Sequence, residues 1–209
     1  MMDNIVERYT LNGRQKVYNF IKRCVDFVAA LLGLLVLSPV FVIICLAIKK
    51  EEGLRAPVHF SQDRIGVNMK HFKLYKFRTM RTDTPHDVPT HLLENPEQYV
   101  TRVGRFLRKT SLDEIPQFIN IVKGDMAIAG PRPALYNQDD LIELREAYGV
   151  HQLRPGLTGW AQINGRDELE IPEKARLDAY YLKHFGFIMD MRCYFKSIGA
   201  VIRGDGNRG

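Results

Sequence analysis

The sequence predicts an α+β fold, mostly helical, in which an N-terminal re-entrant membrane helix hairpin precedes a small cytosolic domain with short strands and interfacial amphipathic helices. Three observations lead there. Phe27 to Ile48 is an uncharged apolar run with Ser38-Pro39 at its middle. Val58 to Met80 alternates loosely around Gly66 and Asn68, the pattern of a short hairpin. Much of the remainder reads as helix, ending in an aromatic stretch from Glu173 to Arg203. The expected divisions are 1–52 for the N-terminal segment and membrane helix, 53–203 for the cytosolic domain, and 204–209 for a frayed tail.

The apolar run covers about 22 residues, enough at ~1.5 Å per residue to cross a ~30 Å hydrocarbon core. It is too long for a signal-peptide core, and Lys49-Lys50-Glu51-Glu52 follows it instead of a cleavage site. Two features argue against a simple span. Pro39 removes a backbone donor and crowds the preceding turn, so the helix should kink, with the Ser38 hydroxyl available for a freed carbonyl. Arg14, Lys16, Lys22 and Arg23 precede the run, and Lys49, Lys50 and Arg55 follow it. Basic flanks favour the cytoplasmic side, so a spanning helix would place one cluster wrongly. A hairpin that breaks at Ser38 and Pro39 and returns to the same face removes the conflict. Asp26, at the entrance, is expected to pair with Arg23.

With 45% hydrophobic and 26% charged residues the chain is composed like a folded protein, not a disordered one. A formal charge of +6 points to an anionic partner: nucleic acid, anionic lipid or a phosphorylated small molecule. Cys24, Cys45 and Cys193 lack Cys-x-x-Cys spacing and read as small hydrophobes in a reducing compartment. The histidines form no metal-type cluster, so a zinc site is not expected. No nucleic-acid-binding motif accompanies the charge.

Further along, Thr82 to Pro96 reads as a loop, and Val100 to Lys109 as a basic helix with Val103, Phe106 and Leu107 on one side. Ser111-Leu112-Asp113-Glu114 matches a capping box, with Lys123-Gly124 as the stop, although Pro116 favours a start nearer Asp113. Gly130-Pro131-Arg132-Pro133 must be a stiff turn, and Asn137 to Tyr148 is amphipathic and helical. Leu153 to Arg166 is loop-rich around Trp160, with room for one short strand. The aromatic helix from Glu173 suits either the membrane interface or ordinary core packing.

Asp113-Glu114 is the pair that carries chemistry. Taken alone, two acidic residues in a first helical turn suit the macrodipole, and Glu114 would simply reach back to the Ser111 amide. The surroundings suggest more. Arg102, Arg105, Arg108 and Lys109 precede the pair, Arg132 follows on the proline turn, and Lys76 and Arg78 come from the strand region. Guanidinium groups hold phosphate oxygens in a bidentate grip, and a carboxylate among cations stays ionised, as an oxygen nucleophile must. A second carboxylate suits a hard Mg2+ ion that bridges diphosphate oxygens. There is no Walker-type or dinucleotide-binding glycine loop. These residue types describe a phosphoryl-transfer site beside a membrane without naming its substrate.

Taken in order, the motifs resemble the bacterial sugar transferases, monotopic polyprenyl-phosphate glycosyl-1-phosphate transferases of the short form. The likeness runs from Lys22-Arg23-x-x-Asp26 and Ser38-Pro39 through Phe60-Ser61-Gln62-Asp63-Arg64-Ile65-Gly66 and Tyr75-Lys76-Phe77-Arg78-Thr79-Met80. It continues through the segment from Thr101 to Gln117, Gly124-Asp125-Met126, Gly130-Pro131-Arg132-Pro133 and the segment from Arg154 to Arg166. Single motifs are weak; the ordered set is specific. The clearest departure is the loop from Pro85 to Glu97, which lengthens the spacing between Lys76 and the dyad.

The resemblance implies a ping-pong reaction. Asp113 would attack a UDP-sugar and expel UMP, and polyprenyl (undecaprenyl) phosphate would take the sugar phosphate from the aspartyl intermediate. Glu114 would bind Mg2+. Lys76, Arg108, Arg132 and Asp178 would line the phosphate-binding site. It further implies the cytoplasmic face of the bacterial inner membrane, no nucleic acid, and downstream glycosyltransferases or a second copy of the chain as candidate partners. Short-form members often use N-acetylated amino or diamino sugars, which puts such donors first. A membrane-anchored, non-catalytic module that binds anionic lipid or a glycan-assembly partner would share the basic surface but would not need the dyad.

Overall fold

A computed structural model describes residues 8–84, 96–165 and 169–203. Part of the loop expected from Pro85 to Glu97, and the expected tail from Gly204 to Gly209, lie outside the described residues. A 40-residue helix, α1 (Gly13–Glu52), opens the fold. Then come a hairpin of β1 (His59–Ile65) and β2 (His71–Phe77), and α2 (Arg102–Thr110) and α3 (Gln117–Lys123), with the dyad between those two helices. The chain continues through β3 (Ala127–Ala129), α4 (Asp139–Tyr148), β4 (Gly156–Thr158), the short α5 (Trp160–Ile163), α6 (Ile171–Lys183) and α7 (Phe187–Arg203).

β1 and β2 pair antiparallel, with Phe60 opposite Lys76 and Ile65 opposite His71. The turn between them runs through Asn68 and Met69, both in the left-handed region, as expected of a tight reversal at Gly66 and Asn68. β3 and β4 form a separate parallel pair, with Ala127 opposite Gly156. The proline turn and α4 make the crossover that parallel pairing requires. The aromatic stretch is two helices, parted at His184-Phe185-Gly186. Its two faces differ: Tyr181, Phe185, Met189 and Cys193 are core, packed with Leu11 and Leu153, whereas Phe187, Ile188, Phe195 and Ile198 are exposed.

α1 is long and apolar enough to cross a membrane by length and composition. It begins at a capping box in which Asn12 accepts the Gln15 amide at 3.0 Å. The helix runs unbroken through Pro39, without the break expected at Ser38-Pro39. Pro39 has no N–H for the Leu35 carbonyl, and the Ser38 hydroxyl donates to that same oxygen at 2.8 Å. One side-chain bond thus replaces the missing main-chain one.

A single stripe of α1 meets the rest of the protein. Tyr18, Lys22, Asp26 and Ala30 serve its first half and Phe41, Ile44 and Ile48 its second, recurring every three or four residues. The Phe41 and Phe77 rings lie 4.6 Å apart, and Gly33 lets the Phe118 ring approach. The other faces leave Val17, Phe20, Ile21, Leu32, Leu35, Val36, Ile43 and Leu46 exposed.

The pairing expected of Asp26 with Arg23 is corrected by the structure. Lys22, at i−4, reaches Asp26 at 3.1 Å and Asp190 of α7 at 2.9 Å, where Tyr18 and Tyr181 also donate to Asp190. Arg23 points away from this cluster, to the carbonyls that end α3. The three charges in the cluster are buried. Buried charges persist only when paired and hydrogen-bonded, and Lys22 is the residue on the buried side of the helix.

Candidate active site

α2 starts where Thr101 accepts the Gly104 amide at 2.8 Å, and ends at Ser111, which takes a left-handed conformation with φ 57°. Ser111 is therefore the joint between α2 and the turn that follows, standing at the N-cap position of that turn without the expected side-chain capping bond. Leu112–Glu114 form one 3-10 turn, and α3 follows Pro116 and stops at Gly124, φ 92°. On α2, Arg102, Arg105 and Lys109 face solvent and Arg108 turns inward. Leu107 is buried and Val103 packs near it, but Phe106 is exposed, against the expectation that all three share one side.

Glu114 does not reach back to the Ser111 amide. Its Oε1 accepts from Lys76 Nζ at 2.8 Å, and the same ammonium lies 3.5 Å from Asp113 Oδ2. Arg132 Nη1 stands 4.0 Å from Glu114 Oε1, and Gln117 adds a hydrogen bond. Arg108 Nε donates to Thr79 Oγ1 at 3.0 Å and acts electrostatically on Asp113. Lys76, Arg108 and Arg132 thus converge on the dyad from β2, α2 and the proline turn.

Asn120 sets the distance between β2 and the dyad. It is fully buried in α3, accepts the Tyr75 amide at 3.0 Å and donates to the Lys73 carbonyl at 2.7 Å. Its amide thereby continues the edge of β2 and fixes the strand beside Lys76 against α3. A lone amide in the apolar sequence Phe118-Ile119-Asn120-Ile121-Val122 was the available signal for a buried anchor.

Asp178 is not in contact with the dyad cluster. It is fully buried on α6, and its Oδ2 accepts from Arg145 Nε at 2.9 Å and Nη2 at 2.5 Å. Arg145 in turn donates through Nη1 to the Arg132 carbonyl at 2.8 Å. Burial against Arg145 keeps the Asp178 carboxylate from direct contact with a phosphate, so the link it makes to the site runs through Arg145. Arg145, which the sequence reading did not single out, joins Asp178 to the main chain of Arg132.

The environments of the two dyad carboxyls push their acidities apart. Burial acts to raise Glu114, but the charges of Lys76 and Arg132 overcome it and hold the group at about 2. For Asp113 burial wins: it raises the carboxyl above its ordinary value over the opposing pull of Lys76, with the Glu114 charge adding to the rise. Glu114 is thus a firmly ionised hard oxygen donor, and Asp113 a partly desolvated, more basic one. Among the described residues no three acidic, His or Cys side chains converge, so a metal would have one or two carboxylates and take its other ligands from substrate and water. That is the donor set Mg2+ prefers, and the site fits it.

The fold joins one helix long and apolar enough to cross a membrane to a pair of carboxylates set among cationic side chains. A family model described as bacterial sugar transferase matches residues 17–204, and the chain belongs to that family. It is 42% identical over 189 residues to the UDP-glucose:undecaprenyl-phosphate glucose-1-phosphate transferase of Escherichia coli (strain K12), covering 87% of this chain and 40% of that protein. To the UDP-N-acetylgalactosamine-undecaprenyl-phosphate N-acetylgalactosaminephosphotransferase of Aeromonas hydrophila it is 35% identical over 197 residues, 92% of this chain and 46% of that one. An exopolysaccharide production protein of Rhizobium leguminosarum bv. phaseoli is 37% identical over 201 residues, 89% of this chain and 98% of its own length. The chain thus spans less than half the length of the two named transferases, and nearly all of the third relative.

Proposed function

We propose that the chain is a phosphoglycosyl transferase that moves a sugar 1-phosphate from a UDP-sugar to undecaprenyl phosphate. The observation that carries this reading is the single ammonium of Lys76 set against both carboxylates of the dyad, with Arg108 and Arg132 on either side.

An Asp113 oxygen attacks the β-phosphorus of the donor, the bond from that phosphorus to the bridging oxygen breaks, and UMP leaves. An oxygen of the lipid phosphate then attacks the same phosphorus, frees Asp113 and yields the polyprenyl diphosphosugar. Lys76 and Arg132 offset the charge that gathers on phosphate oxygens, and Arg108 does so from the α2 side. Desolvation leaves the Asp113 carboxylate less strongly held by water and so a better nucleophile. Glu114 would hold Mg2+, which when bound neutralises the diphosphate and orients it.

The acceptor's phosphate lies at a membrane surface, and α1 supports a site placed there. Its stripe of contacts joins the domain along the whole helix, while its other faces offer apolar side chains to lipid. We read α1 as held in one leaflet, entering and leaving by the cytoplasmic face, its change of direction made at Pro39 as a kink within a continuous helix. The exposed apolar face of α7 would lie at the same interface.

Reconstituted protein given Mg2+, undecaprenyl phosphate and a panel of UDP-sugars, glucose and N-acetylated amino sugars included, should release UMP and not UDP. Intact-protein mass spectrometry without acceptor should find a phosphosugar on Asp113. Release of UDP, an adduct on another residue, or full activity in Asp113→Asn would refute the reading. Tags on residues 1–20 that prove accessible only from outside the cytoplasm would refute the single-leaflet topology.

A further inference from the structure

The dyad belongs to a helix–joint–helix unit that starts at Arg102 and ends at Lys123. Both ends of this unit are held by the same distant helix. At its start, Glu51 Oε1 accepts the Arg102 amide at 2.7 Å and Glu51 Oε2 accepts the Val103 amide at 2.9 Å. At its end, Arg23 donates through Nη1 to the Ile121 carbonyl at 2.6 Å and through Nη2 to the Val122 carbonyl at 2.9 Å. Helix ends leave such amides and carbonyls short of partners, and here the Ile121 carbonyl takes the Arg23 bond beside one from the capping Gly124 amide at 3.1 Å. A carboxylate at the first end and a guanidinium at the last match the signs of the helix dipole.

Between these grips α1 runs antiparallel to the unit. Arg23 meets residues 121 and 122, Gly33 meets Phe118, Ile44 and Ile48 pack with Ile115 and Leu107, and Glu51 meets residues 102 and 103. The unit itself contains a weak point at Ser111, a non-glycine residue with φ 57° and no side-chain cap on the turn that follows. α2 carries Arg108, whereas α3 fixes β2 and Lys76 through Asn120. The angle at Ser111 therefore decides whether Arg108 and Lys76 both face Asp113.

We propose that Glu51 and Arg23 are positioning residues for the dyad, two opposite charges on one membrane helix that grip the ends of the unit and fix its angle at Ser111. The proposal rests on reading Asp113 as the reacting group. It makes the geometry of the site depend on the shape of α1, through residues that touch no substrate.

The test uses full-length protein in vesicles, with UMP release as the assay and Asp113→Asn as the reference for the underlying reading. Glu51→Ala and Arg23→Ala should each lower kcat about tenfold with donor KM little changed, as expected when a distant change misplaces a reacting group. Glu51→Gln, which keeps an acceptor oxygen, should restore part of the loss. The exposed Lys50→Ala is the control and should match wild type. Hydrogen exchange at the Arg102 and Val103 amides and through residues 111–115 should quicken in Glu51→Ala. Turnover within about twofold of wild type in both alanine variants would overturn the proposal while the inactive Asp113→Asn left the function standing. Full recovery of kcat on cooling well below the melting temperature would also overturn it, because the role would then be stability alone. An active Asp113→Asn would remove its premise. If Arg23→Ala does not accumulate, the Glu51 variants decide the matter.

Discussion

Arg145 donates to the main-chain carbonyl of Arg132 at 2.8 Å, and it does so from a fully buried salt bridge with Asp178. A side chain at the surface of the site is thereby aimed by a pair of charges beneath it. Arg145→Ala should destabilise the protein by about 3–5 kcal/mol, because it strands a buried carboxylate. Arg145→Lys should recover only part of this, since an ammonium cannot make all three bonds. Urea unfolding of the two variants measures both effects.

The acid side of the pH profile should belong to Asp113 alone. Its carboxyl is raised above 3.8, so it takes up a proton before Glu114, which stays ionised down to about 2. Activity should fall as a single ionisation with its midpoint above 3.8. Lys76→Met removes the charge that lowers both groups and should move that midpoint to higher pH, besides cutting kcat by about 10²-fold or more. A profile of kcat/KM against pH, taken for both proteins, checks this. Stability has its own window: ionised Glu114 contributes fully above 4.5, and the contribution is lost as pH falls through about 2.

Gly104→Ala should be among the most damaging single methyl additions. A Cβ there would stand 2.0 Å from the Thr79 carbonyl oxygen and 2.8 Å from the capping Thr101 Oγ1. Neither neighbour is the free end of a long side chain, so α2 must move off Thr79, whose hydroxyl holds Arg108. Loss of several degrees in melting temperature and of most UMP release is expected, with small effect from Gly13→Ala, where a Cβ meets nothing.

Much of this was legible in the sequence because it is local. The hairpin at Gly66 and Asn68, the stop at Gly124 and the role of Ser38 beside Pro39 follow from turn and cap chemistry within a few residues. Lys76, Asp113 and Glu114 were found through motif order, and they do meet. The errors share a cause. Ser111 looked like a capping side chain because a capping box is defined by spacing, whereas its conformation is set by the helices on both sides. The partner of Arg23 was missed because it lies 98 positions away, and that of Asp178 because it lies 33 away, distances at which periodicity says nothing. The partners of Glu51, at 102 and 103, lie beyond the reach of periodicity for the same reason.

The long reach of α1 bears on how the protein is made. Translation completes α1 by Glu52, but the carbonyls that receive Arg23 are at 121 and 122, and Asp190 comes later still. At ~5–20 residues per second the helix waits on the order of ten seconds for these partners. Through that interval Lys22 and Asp26 have only each other, on a nascent segment apolar enough to be drawn into lipid. With α1 placed in the membrane as proposed, its insertion would come before the domain folds, and the domain would assemble onto a helix already in place.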